Sequence, residues 1–204
     1  MNRPSRIAVR RLVCTMDGTT VLHGVDLTVE PGEHVALLGA NGSGKSSLVR
    51  AILGLLPRSG GEIALDGRIQ PNPCPAAWAR QLAWIPQRPP RGEIPFQVGQ
   101  LVDSSRPWGA RLGLAPLARR SLNSLSGGEL QRVYIARALD HLEDGAGVLL
   151  ADEPTSALDF AGQEEVGELF AGLPATILWI THDPAQARRC HRTLVMAQGK
   201  LRPL

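Results

Sequence analysis

Residues Gly39-Ala40-Asn41-Gly42-Ser43-Gly44-Lys45-Ser46 fit the pattern G-x-x-x-x-G-K-[ST]. Glycines at this spacing let a backbone approach phosphate oxygens and turn successive N–H groups toward them. The lysine can reach the terminal phosphates of a nucleoside triphosphate, and the hydroxyl after it can bind Mg2+. Gly39, Asn41, Gly42, Ser43, Gly44, Lys45, Ser46 and Ser47 are thus candidate phosphate-binding residues. A second chemical pair, Asp152-Glu153, ends the apolar run Val148-Leu149-Leu150-Ala151. An acid at such a strand end can hold Mg2+, usually through water, which makes Ser46 and Asp152 candidate metal ligands. Glu153 would then face the γ-phosphate, where it could orient or deprotonate an attacking water. An acidic turn before Pro154 is the plainer account of the pair, and the glycine-rich loop upstream argues against it.

These residues need strands and helices to aim them. His34-Val35-Ala36-Leu37-Leu38 before the loop reads as a strand, and Ser47 to Leu53 after it reads as a helix, the setting the motif requires. Val148 to Ala151 and Thr176 to Ile180 are continuous apolar runs, which suit parallel strands covered on both faces. Ile7 to Thr15 and Thr20 to Glu30 read as a strand pair at the N-terminus. Gly61 to Gly67 and Leu82 to Pro86 read as short strands, and Arg192 to Leu201 as a hairpin turning at Gln198-Gly199. Strands interleaved with helices indicate an α/β fold. Pro71 to Pro75 is a proline-rich loop, and Gln87 to Ser124 carries short helical patterns that suit a small insert.

Leu125-Ser126-Gly127-Gly128-Glu129 opens another helix, with Ser126 and Glu129 forming an S-x-x-E capping box. The box does not account for two adjacent glycines. Gly127 and Gly128 allow close backbone approach, and a helix N-terminus attracts anions, so this is a second phosphate-facing surface.

Together these segments resemble the ATP-binding subunit of the ATP-binding cassette (ABC) transporters. Gly39 to Ser46 matches the Walker A loop, Gln87 the Q-loop glutamine, and Leu125 to Glu129 the signature LSGGQ with Glu129 in place of glutamine. Asp152-Glu153 matches the Walker B pair, Ser156-Ala157-Leu158-Asp159 the D-loop, and His182 the switch histidine, all in the family's order. The resemblance implies a P-loop NTPase (RecA-like) core with an N-terminal antiparallel β subdomain and a short α-helical subdomain. That makes residues 1–204 one ABC ATPase domain, with 1–86 and 125–204 as core and 87–124 as helical subdomain. It implies ATP and Mg2+ as ligands, and Glu153, His182, Lys45 and Gln87 as catalytic residues. Gln87 joins Ser46 and Asp152 at the metal. Ser126, Gly127, Gly128, Glu129 and Asp159 would meet ATP held by a second copy in a head-to-tail dimer. Transmembrane permease subunits and a substrate-binding protein would be further partners, and the cytoplasmic face of the membrane the place of work.

Two departures from the family pattern stand out. Position 16, where the family stacks an aromatic ring on adenine, is Met16, a weaker platform that predicts loose base discrimination. The stretch from Gln87 to Leu125 is short, which predicts a trimmed subdomain of two or three short helices. Arg80 to Gln87 and Pro95 to Val102 resemble importers of metal ions, haem or iron chelates, which favours import; the plainer account of Ile94 to Val102 is an ordinary amphipathic helix packing on its own subdomain. An exporter ATPase and a soluble ABC ATPase acting on nucleic acid or ribosomes are the alternatives. The second typically carries a long coiled-coil insertion or two cassettes, and neither pattern is present. A P-loop kinase would need an acceptor site, and the signature and His182 argue against it.

Composition agrees. The chain of 204 residues is 43% hydrophobic with a net charge of +3. No apolar run approaches the ~18 residues of a membrane-spanning helix, and the basic N-terminus lacks the apolar core of a secretory signal. Three dispersed cysteines read as reduced structural thiols. The pairs Arg10-Arg11, Arg119-Arg120 and Arg188-Arg189 read as solvated faces, and a single tyrosine offers no stacking platform, so no nucleic acid is expected.

Overall fold

Alternate residues of the central strands point to opposite faces, and each face finds its own core. The computed structural model describes residues 4–90 and 96–204. In β7 (Val148–Asp152), Val148 and Leu150 join one buried cluster while Leu149 and Ala151 join the other. In β8 (Thr176–Ile180), Leu178 and Ile180 face the first cluster, and Ile177 and Trp179 the second. All five residues of each strand are buried, which explains their unbroken apolar character.

The main sheet has six strands, ordered β10-β9-β3-β8-β7-β6. The loop-bearing strand β3 (His34–Leu38) sits between β8 and β9 (Arg192–Ala197), and β6 (Leu82–Ile85) is at one edge. These five strands run parallel; β10 (Lys200–Pro203) closes the other edge antiparallel to β9. The register sets Ile180 opposite both Leu37 and Asp152, so the carboxyl ends of β3, β8 and β7 share one edge. Ligands in open α/β sheets bind along such an edge.

A second, antiparallel sheet, β2-β1-β4-β5, covers one face. It comprises β1 (Ile7–Met16), β2 (Thr19–Val29), β4 (Gly60–Leu65) and β5 (Arg68–Ile69). Its apolar side shares a core with Leu48, Val49 and Ile52 of α1 (Lys45–Leu53). Asp17-Gly18, Asp66-Gly67 and Gln198-Gly199 each place two residues at positive φ between paired strands, the two-residue turn that matches strand twist. The proline-rich loop holds a cis Asn72-Pro73 bond and leads into α2 (Ala76–Ala79); β5 and α2 were not anticipated from the sequence.

The opposite face carries α5 (Gly127–Glu143), α6 (Phe160–Ala171) and the short helices α3 (Val98–Leu101) and α4 (Pro107–Arg111). Val98, Trp108, Leu112 and Leu122 pack into the core shared with α5. The helix expected over Ile94 to Val102 is one turn, Val98–Leu101, capped by Gln97 and Gln100; residues 94 and 95 lie outside the described residues, as do residues 91–93. A last helix, α7 (Pro184–Ala187), is capped by the Asp183 carboxylate, which accepts the Ala185 N–H at 2.7 Å. All three cysteines are free, and burial pushes the Cys14 thiol up to about 11 and that of Cys190 to about 12.

Candidate functional site

The phosphate loop runs from the end of β3 into α1, and its shape needs glycine. Gly39, Gly42 and Gly44 have φ of +149°, +76° and +109°. A Cβ on Gly39 would collide with the Met196 carbonyl of β9, and one on Gly44 would press on Leu22 and on the Val21 carbonyl. The Gly199 N–H of the C-terminal hairpin donates to the Ser43 carbonyl, and the His23 N–H of β2 donates to that of Gly199, both at 2.9 Å. The loop is therefore wedged against β2, β9 and the turn at Gln198-Gly199. Lys45 is buried, and its Nζ donates to the carbonyls of Gly39 at 2.7 Å and Ala40 at 2.9 Å. Its ammonium thus lies over the loop whose N–H groups face an anion. Asn41 and Gly42 are exposed; Gly44, Ser46 and Ser47 are half-buried.

Asp152 is buried at the end of β7, and its Oδ1 has no hydrogen-bond partner. Burial pushes its carboxyl upward against the hydrogen bond from Ser46, while the neighbouring Glu153 adds to the rise. An orphaned carboxylate oxygen beside a hydroxyl suits a hard divalent cation. Among the described residues no cluster of three His, Cys, Asp or Glu could cage a metal. Few protein ligands is the coordination Mg2+ prefers, with water and substrate phosphate supplying the rest.

Glu153 has a left-handed backbone, φ +47°, unusual for a residue with a side chain. Its N–H donates to the Ile180 carbonyl at 2.9 Å, which turns the carboxylate toward two other expected residues. Gln87 Nε2 donates to Glu153 Oε2 at 3.1 Å, and His182 Nδ1 lies 3.5 Å from the same oxygen. Glu153 is buried while the His182 side chain is 70% exposed, so the group opens outward through the imidazole. Ser46, Asp152 and Gln87 line one cavity of about 240 Å³. Gln87 therefore bonds the candidate base and lines the same cavity as the metal-competent pair.

The second phosphate-facing surface is elsewhere. Ser126 caps α5: its hydroxyl accepts the Glu129 N–H at 3.2 Å, and its own N–H donates to Glu129 Oε2 at 2.7 Å. The Ser126 hydroxyl proton stays available to donate. Gly128 lies against the Ala157 carbonyl, where an added Cβ would come within 3.2 Å. Ser126, Gly127, Gly128, Glu129 and Asp159 line a cavity of about 660 Å³, which shares no lining residue with the cavity at Ser46 and Asp152. Asp159 caps α6 by accepting the Gly162 N–H at 3.0 Å. Met16 ends β1 at the Asp17-Gly18 turn and is 44% exposed.

Arg120 escaped the sequence reading as a solvated face. Its side chain is partly exposed but ion-paired to Glu129 at 2.9 Å. Only the adjacency of Arg120 to the signature segment hinted at this. A third cavity, about 610 Å³, lies between the sheet and the short helices, lined by Leu55, Trp84, Leu101, Arg106 and Asp140 among others.

The family model described as ABC transporter matches residues 22–156. The Fe(3+) ions import ATP-binding protein FbpC of Streptomyces coelicolor is 37% identical, over 97% of this chain and 61% of its own length. The hemin import ATP-binding protein HmuV of Pseudomonas aeruginosa is 38% identical, over 98% of this chain and 84% of its own. The macrolide export ATP-binding/permease protein MacB of Rhodopseudomonas palustris is 40% identical over 94% of this chain, which spans 32% of that protein. Among solved structures, a dimeric post-hydrolysis state of the ATP-binding cassette MJ0796 bound to ADP and Pi superposes with a TM-score of 0.82. It is 25% identical and covers 97% of this chain and 98% of its own. The α/β fold is the P-loop NTPase fold expected from the sequence.

Proposed function

This chain belongs to the ABC transporter family, and from that premise we propose that it is the ATP-hydrolysing subunit of a transporter, working as a head-to-tail pair. One observation carries the reading. The glycine-rich signature turn and the Ser46–Asp152 pair line cavities with no residue in common, which supports a complete site built from the loop of one copy and the signature of another. The working domain is residues 1–204, with 87–124 as a small helical subdomain.

In this reading the loop N–H groups and Lys45 bind the phosphates, and Met16 touches the base. Ser46 and Asp152 would hold Mg2+, with Gln87 beside them, and the cation would screen phosphate charge. Glu153 takes a proton from the water that attacks the γ-phosphate in line with the departing ADP. Gln87 fixes the carboxylate orientation through its 3.1 Å bond, and His182 contacts the γ-phosphate from the exposed side. Ser126 and the N–H groups of Gly127 and Gly128 in the second copy stabilise developing charge, and Asp159 fixes the adjoining turn.

Transmembrane permease subunits are the partners, reached through the cavity that Trp84 borders on the strand leading to Gln87. No helix among the described residues is long and apolar enough to cross a membrane; the place of work we propose, the cytoplasmic face beside the permease, follows from the likeness to ATP-binding proteins of import systems. Import of a metal ion, haem or iron chelate is supported by the FbpC and HmuV relatives; a substrate-binding protein outside would be a further partner of such an importer. MacB supports export as the second reading. Co-purification from detergent-solubilised membranes tests the class: a polytopic partner supports the motor, and ribosomes or DNA in its place refute it. ATP-driven uptake rather than efflux by cells expressing the complex decides direction.

A further inference from the structure

Glu129 puts a carboxylate on the surface that, in the reading above, receives the γ-phosphate. Like charges at that range repel, and an amide at this position would carry no such penalty. The structure pairs the charge with its own cation. Arg120 Nη1 donates to Glu129 Oε1 at 2.9 Å, and its Nη2 donates to the Ser124 carbonyl. Glu129 Oε2 accepts the Ser126 N–H, so both carboxylate oxygens are engaged at the N-terminus of α5. The Ser126 backbone N–H, with Arg120 adding, holds the carboxyl below the usual range, so it is ionised at neutral pH. Arg120 also joins two segments: the turn Leu122–Ser124 that leads into the signature, and the first turn of α5 that carries it.

We propose that Arg120 is a positioning residue that neutralises Glu129 and fixes the signature turn, so that Ser126, Gly127 and Gly128 can accept the γ-phosphate of ATP bound to a second copy. The proposal rests on the head-to-tail reading. It explains how this chain carries glutamate where the family signature has glutamine: the carboxylate keeps the capping box, and Arg120 removes its charge from the phosphate's view.

The test uses the full chain carrying Glu153→Gln and measures the ATP concentration that half-maximally drives dimerisation, by light scattering on a sizing column. Arg120→Ala raises that concentration about tenfold, the scale of losing one charge-assisted contact. Adding Glu129→Gln to Arg120→Ala brings it back to within about threefold of the parent, because the amide needs no counter-charge. Arg120→Lys, which keeps the charge, retains most of the affinity. The Arg120→Ala defect shrinks when salt rises from about 0.01 M to 0.1 M, as the screening length falls from ~30 Å to ~10 Å. A misfolded turn would give neither the rescue nor the salt relief. An Arg120→Ala protein that dimerises like its parent, or one that Glu129→Gln fails to rescue, overturns the proposal. Ser126→Arg separates the two levels. If it abolishes the ATP-dependent dimer while Arg120→Ala shows no rescue, the dimer reading stands and Arg120 loses its role. If it leaves the dimer intact, the head-to-tail reading itself falls.

Discussion

Glu153→Gln isolates the chemical step from the architecture around it. Glu153 is buried, and its Oε2 lies 3.1 Å from Gln87 Nε2 and 3.5 Å from His182 Nδ1. Glutamine keeps the volume, and its amide oxygen can still accept from Gln87, so the fold and the left-handed backbone are undisturbed. It cannot accept the proton of water. Loss of a positioned general base costs about 10²- to 10⁴-fold in turnover, or roughly 3–5.5 kcal/mol of barrier. The same change removes a negative charge that faces the γ-phosphate. At a water-bridged separation of about 5 Å and an effective dielectric near 20, that repulsion is about 3 kcal/mol, and half of it already strengthens ATP binding about tenfold. Phosphate release should therefore nearly stop while ATP-dependent dimers accumulate, seen by light scattering on a sizing column. Turnover within about threefold of wild type would remove Glu153 as the base. A silent variant that gathers no dimer would refute the charge argument.

Other substitutions probe separate parts of the site. Burial raises the Asp152 carboxyl, so this group favours folding when protonated, and its contribution is lost as pH climbs through the raised folded value. At neutral pH the ionised group costs stability; Asp152→Asn should raise the melting temperature by about 2–4 °C, the shift of ~1 kcal/mol in a domain this size. The gap from wild type should close toward acid pH, and Mg2+-dependent ATPase should vanish; a gap that widens in acid contradicts the assignment. Gly199→Ala touches no phosphate, yet its φ is +68° and its Cβ would strike the Val21 carbonyl behind the loop. A loss of about 2 kcal/mol, or roughly 4–8 °C, should appear in thermal melts together with weaker ATP binding. For Met16, ATP and GTP should bind within about threefold of each other, and Met16→Tyr should tighten ATP several-fold by supplying ~1 kcal/mol of ring stacking. A strong ATP preference that Met16→Ala destroys would instead make Met16 a specific platform.

Which residues could carry chemistry, and the strands and helices that hold them, can be read from local sequence. Gly39 to Ser46 requires glycine wherever φ turns positive, and the apolar runs ending at Asp152 and Ile180 are legible because strands buried on both faces cannot carry polar alternation. The two-residue turns at Asp17-Gly18 and Gln198-Gly199 are equally local. The fold brings Gln87 and His182 together on Glu153 Oε2, since parallel register, not spacing, aligns the strands that precede them. It also decided that the Gln198-Gly199 hairpin buttresses the phosphate loop through Gly199 and Met196, a contact across more than 150 residues of chain. The pairing of Arg120 with Glu129 was hidden for a related reason. A surface arginine looks the same in sequence whether water or a carboxylate receives it, and the turn at Leu122–Ser124 makes the choice. Local steric rules fix glycines and strand faces within a few residues, whereas charge pairing and loop support depend on which distant segments the sheet brings side by side.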